Sequence, residues 1–147
     1  MDNIDKQIVN ILQTNARASL KEIGEATFLS SPAISARIAH LERDGIIKDY
    51  GANLNLQTLG YNITAFINLE VSPKQKPIFY PFVEKVPNVL ECNCVTGEYS
   101  MLLKVAYPTT NELDTFIGEL QQFGKTYTQI VFSTSVGPRG IHLEETD

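Results

Sequence analysis

The stretch Ser19–Gly45, SLKEIGEATFLSSPAISARIAHLERDG, carries two helix starts in close succession. Ser19 followed by Glu22 has capping-box spacing, in which the hydroxyl and the carboxylate each satisfy a backbone N–H left unpaired at a helix start. Leu20, Ile23 and Ala26 supply a short apolar stripe that breaks at Thr27-Phe28-Leu29. Ser31 then reads as an N-cap with Pro32 at the first helical position, where the missing N–H costs nothing. Ile34, Ile38 and Leu41 repeat at i, i+4, i+7 until Asp44-Gly45 closes the helix. Towards the N-terminus, Ile4, Ile8, Ile11 and Leu12 form one face of an earlier helix, with Asp2 as N-cap and Asp5 three residues on. Two short helices joined by a tight turn and braced by a third are the helix-turn-helix pattern.

Towards the C-terminus the period changes. Ile46–Leu56 is an extended, β-branched and polar mix that predicts a strand or small wing, and Gln57–Gly60 reads as a boundary. Ile63, Ala65, Ile67, Leu69 and Val71 alternate strictly, as in a half-buried strand. A helix is expected from about Ile78, because Pro81 is tolerated in a first turn, with Phe79, Val83 and Val86 facing inward. Val89–Val95 and Met101–Ala106 read as strands joined at Gly97-Glu98, with Leu90, Cys92 and Cys94 under the helices. Thr109 and Glu112 open a helix striped by Leu113, Phe116, Ile117 and Leu120 and stopped at Gly124, and Tyr127–Val136 is a last strand. The order βαββαβ is ferredoxin-like. The fold class is therefore α+β: a winged helix-turn-helix (residues 1–50), a strand or linker (51–60) and a ferredoxin-like domain (61–147) whose tail from Gly137 reads as loosely ordered.

Twelve Lys and Arg against seventeen Asp and Glu leave a net charge of −5, which excludes coating of nucleic acid by bulk charge. Any DNA contact has to be local. Residues 1–60 hold six cations against seven acids, so most of the excess acid lies further on. The chain shows no apolar run long enough to span a membrane and no basic-plus-apolar leader, so a cytoplasmic protein with no membrane partner is expected. Cys92 and Cys94, two apart on a strand, share a face at a separation that disfavours a bridge. His40 and His142 lie near neither, so no metal site and no cofactor are expected.

With the core side of the third helix set by Ile34, Ile38 and Leu41, its opposite face carries Pro32, Ala36, Ala39 and Arg43, flanked by Ser35 and His40. Small residues let a helix sit deep in the major groove, and Ser35, His40 and Arg43 can bond bases or phosphate. Ordinary solvated surface is the plain alternative for Ser35 and His40. Arg37 lies at the edge of the core stripe and is expected to pair with Glu42 or a carboxylate of the second helix. Arg17, Lys21 and Lys48 are candidate phosphate contacts. No nucleophile elbow, phosphate loop or His–carboxylate constellation is visible, so an enzyme is not expected.

The motifs Asp2-x-x-Asp5-x-x-Ile8, Asn15-Ala16-Arg17-x-Ser19 and Ser31-x-x-x-Ser35-x-Arg37-Ile38-x-x-Leu41-Glu42-x-x-Gly45-Ile46-Ile47 resemble the leucine- and asparagine-responsive (Lrp/AsnC) regulator family. The match continues through Leu59-Gly60 and Val95–Val105. The resemblance implies a DNA-binding regulator of double-stranded DNA, a sensor domain, dimers that assemble to octamers, and a free amino acid as effector. Many members carry Asp where this chain has Ser100. The DNA-binding residues expected are Ser31, Pro32, Ser35, Ala36, His40, Arg43, Lys48 and Arg17. The effector is expected at a subunit interface beside the turn of Gly97, Glu98, Tyr99 and Ser100, with Ser133 and Thr134 of the last strand contributing polar groups. The alternative is an architectural protein that wraps DNA without a ligand response. An apolar outer sheet face holding Phe66, Leu102 and Val131 predicts a homo-oligomer.

Overall fold

Asp2 caps the first helix, α1 (Asn3–Thr14), in the computed structural model, which describes residues 1–146. Its carboxylate accepts from Asp5 N at 2.8 Å, and the Asp5 carboxylate accepts from Asp2 N at 3.0 Å, a complete capping box. Ser19 and Glu22 build the same reciprocal cap on α2 (Leu20–Thr27). The third helix, α3 (Ser31–Arg43), is capped by Ser30 rather than Ser31, and Ser31 is its first residue. Ile8, Val9, Leu12, Ile23, Ile34 and Leu41 interlock as the core of this unit, with Ile38 and Ile47 packed at its edge. On α2 the buried residues are Ile23, Gly24 and Thr27, whereas Leu20 and Ala26 face solvent. The cause is Gly24: a Cβ there would stand 2.5 Å from the Leu29 carbonyl oxygen, so the α2–α3 turn folds directly over the glycine.

The expected wing is not formed. Residues 46–56 contain no strand, and only a turn appears, from Leu56. A wing is a hairpin, and one extended segment without a partner strand leaves its backbone groups to solvent. The tail also departs from expectation. Asn10 Nδ2 donates to Leu143 O and Asn10 Oδ1 accepts from Leu143 N, both at 2.9 Å. Asn3 makes the same pair with Thr146 at 2.8 and 3.1 Å, and Gln13 Nε2 donates to Ile141 O at 3.0 Å. The register has a simple basis: three extended residues and seven helical residues each advance about 10 Å. The first unit therefore comprises residues 1–53 and the chain from Val136 on, and the second is Leu54–Ser135.

The second unit follows the βαββαβ order: β1 (Ile63–Leu69), α4 (Lys76–Glu84), β2 (Val89–Cys94), β3 (Met101–Tyr107), α5 (Thr110–Leu120) and β4 (Thr126–Ile130). The strands lie in the order β2-β3-β1-β4, each pair antiparallel. Ala65, Ile67, Leu69, Met101, Leu103 and Val105 point to one face and are buried against Phe79, Val83, Leu113, Phe116 and Leu120. The α4 helix begins two residues before Ile78, so Pro81 lies inside it. The only helical bond Pro81 forgoes is the one to Pro77 in the first turn. A bulge between Val89 and Glu91 shifts the phase of β2. Val89 and Cys92 therefore pack on the core, and Leu90 turns outward with Cys94 at the uncovered strand end. Burial pushes the Cys92 thiol pKa up, which keeps it protonated.

Candidate DNA-binding face and effector turn

The α3 surface opposite the core is exposed along its length, at Pro32, Ser35, Ala36, Ala39, His40 and Arg43. Arg43 Nη2 lies 2.7 Å from His40 Nδ1, and His40 Nε2 lies 3.2 Å from Asp44 Oδ2. A guanidinium only donates, so Nδ1 accepts and the ring proton sits on Nε2, facing Asp44. The expected pair of groove-facing side chains is thus one hydrogen-bonded chain ending on a carboxylate. Arg17 and Lys48 are exposed on loops outside α3, and Lys21 sits 3.9 Å from Glu25.

Arg37 forms an ion pair, but with other partners than expected. Its Nη1 reaches Asp2 at 2.8 Å and Asp5 at 2.7 Å, so it binds α3 to the cap of α1 instead of to Glu42 or α2. Glu42 accepts from the Tyr50 hydroxyl at 2.8 Å. The Asp2 carboxyl is held below its ordinary pKa, first by the Asp5 N–H and then by Arg37.

In the second unit, Gly97 adopts φ +107 with open space where a side chain would lie, a conformation that the β2–β3 turn requires. Beside it, Glu98 faces Lys125 at 3.9 Å, the Lys125 ammonium lies 5.9 Å from the Tyr99 ring centroid, and Tyr99 packs on Tyr127 at 6.4 Å. Lys125 and Tyr127 were not among the expected site residues. They arrive because β4 pairs with β1 in a register that puts Thr126 beside Leu69, at the turn's end of the sheet.

The structure narrows two expectations here. The Ser100 hydroxyl is committed: it accepts from Val71 N at 2.9 Å and donates to Val71 O at 3.0 Å, closing the end of β1. Ser133 and Thr134 lie beyond β4, which stops at Ile130, and they are exposed at the opposite end of the sheet, past the Ala65–Ile130 pair. A seven-residue strand separates those ends by about 20 Å. Within one chain they lie away from the turn, so their expected contribution at a subunit interface is one made to a second copy.

A helix-turn-helix of AsnC type matches residues 1–42, and the Lrp/AsnC ligand binding domain matches residues 64–141. The chain belongs to the Lrp/AsnC family. Among its relatives, the HTH-type transcriptional regulator FL11 of Pyrococcus furiosus is 33% identical over 150 residues, spanning 100% of this chain and 95% of that protein. The structure of LrpC from B. subtilis superposes with a TM-score of 0.89 at 26% identity, over 94% of this chain and 99% of that one. A transcriptional regulator from Neisseria meningitidis, solved as an L-Met complex, gives 0.88 at 27% identity, over 98% and 96%. This Lrp/AsnC chain is a transcription regulator with a DNA-binding helix-turn-helix and a ligand-binding domain, and not an enzyme. None of its described helices is long and apolar enough to cross a membrane.

Proposed function

We propose that this Lrp/AsnC regulator reads specific double-stranded DNA with the exposed face of α3 and responds to a free amino acid at the Gly97–Ser100 turn. The observation that carries the DNA reading is the α3 surface. Pro32, Ala36 and Ala39 are small enough for close approach, and Ser35, His40 and Arg43 stand at its borders. Ser31, Arg17 and Lys48 supply further polar or cationic groups for phosphates. The net charge of −5 weighs against indiscriminate wrapping, so the architectural reading is the lesser one. The site of action is the cytoplasm.

At the turn, Glu98 and Lys125 offer an anion and a cation to the ammonium and carboxylate of an amino acid, with Tyr99 and Tyr127 as an aromatic wall. The L-Met complex of the Neisseria meningitidis protein supports an amino-acid effector. The outer sheet face carries Phe66, Leu102, Tyr127 and Val131, an apolar area that favours a homodimer and its further assembly to an octamer.

The test begins with selection of sites from a random double-stranded pool. Arg43→Ala is expected to weaken the selected site by about 1–3 kcal/mol with folding intact, and unchanged affinity would remove Arg43 from the interface. Calorimetry of the twenty amino acids against wild type and Gly97→Trp, paired with sedimentation, tests the effector. Binding that Gly97→Trp leaves unaltered, or no binding below about 10 mM, overturns the pocket.

A further inference from the structure

Phe28 occupies the turn between α2 and α3 with φ 58 and ψ 34, the only non-glycine residue at positive φ among those described. A bulky side chain is rare in this left-handed conformation, because Cβ crowds the neighbouring carbonyl. The backbone holds it there from both sides. Phe28 N and Leu29 N both donate to Gly24 O, and the Leu29 carbonyl passes where a Gly24 Cβ would be. The ring gains nothing from the fold, being 94% exposed. Glycine or asparagine would take the same turn at lower cost and lose no buried area. A strained, unburied aromatic contributes to folding on neither count, so its use lies outside the folded chain.

Its position says where. Phe28 stands three residues before Ser31, the start of the helix that the DNA reading places in the major groove, and a recognition helix enters the groove by its N-terminal residues. The exposed residues next to it in the chain, Glu25, Ala26, Ser30 and Pro32, form no apolar patch, and one ring is far below the area of a protein interface. Phenylalanine has no hydrogen bond to give. The apolar parts of DNA at a groove edge are the thymine C5-methyl and the deoxyribose. Resting on the DNA reading, we propose that the Phe28 ring is a DNA contact, packing against such an apolar group beside the start of α3 and adding affinity that the α3 face does not supply.

The experiment uses the full chain and its selected site. Phe28→Gly is expected to raise the thermal midpoint by roughly 2–4 °C, while weakening the selected site about tenfold. Phe28→Asn behaves alike, which shows that ring removal and not glycine is the cause. Each thymine is then replaced singly by deoxyuridine. If the contact is a methyl, one replacement weakens wild type about fourfold and leaves Phe28→Gly unaffected; if it is a deoxyribose, the affinity loss in Phe28→Gly stands at every replacement. Either pattern supports the proposal. Wild-type affinity in both Phe28 variants, with Arg43→Ala still impaired, overturns it and spares the DNA reading. Failure of wild type to select any DNA overturns both.

Discussion

On α3, Pro32, Ser35, Ala36, His40 and Arg43 share a surface because one thirteen-residue helix carries them all. Around Gly97–Ser100 the neighbours come from the turn, from Lys125 and Tyr127 at the start of β4, and from Val71 just past β1. The first surface follows from a period of 3.6 residues and a cap. The second exists only when β1 lies between β3 and β4. The two kinds of site therefore respond differently to damage: loss of local packing melts a helical face, and loss of sheet register scatters a turn site while its own residues are unchanged.

The comparison breaks most severely at Ile34, buried at the centre of the helical core. Ile34→Ala is expected to cost about 2–5 kcal/mol and to abolish DNA binding. Amide exchange should place the loss in residues 3–43 and leave β1 and β3 protected. Equal loss in the sheet would show that the two units melt as one. Ser100→Ala is the counterpart. Two hydrogen bonds to Val71 disappear, at about 0.5–1.5 kcal/mol each, and the effector response should weaken with operator affinity unchanged in the absence of effector. A full-strength effector response in that variant would separate the turn from the end of β1.

Smaller effects sharpen the same contrast. Asn10→Ala removes both bonds to Leu143 and should cost about 1–2 kcal/mol, read as earlier proteolysis of the tail with the sheet intact. Acid should also act on the helical unit first. Asp2 and Glu22 both have folded pKa values lowered below their ordinary 3.8 and 4.5, the first by the Asp5 N–H and the second by the Ser19 N–H. A lowered carboxyl pKa stabilises the fold above the unfolded value, and that contribution is lost as pH falls through the folded value. Below about pH 4, helical signal from α1 and α2 should decline before the sheet does; simultaneous loss would assign the acid sensitivity elsewhere.

Local signals settled the helices. The Asp2–Asp5 and Ser19–Glu22 boxes, the Ile34–Ile38–Leu41 stripe and the alternation of β1 are interactions between residues a few positions apart, so spacing alone determines them, and the exposed α3 face follows by geometry. Tertiary structure decided what depends on distant partners. Arg37 could reach several acids, and the packing of α1 on α3 chose Asp2 and Asp5. The bulge turned Leu90 outward, the direction of β4 carried Ser133 and Thr134 to the end of the sheet away from the turn of the same chain, and the tail found α1. Lys125 and Tyr127 reached the effector turn by strand order. No sequence period encodes such pairings, because they are fixed by which surfaces bury each other once the whole chain has collapsed.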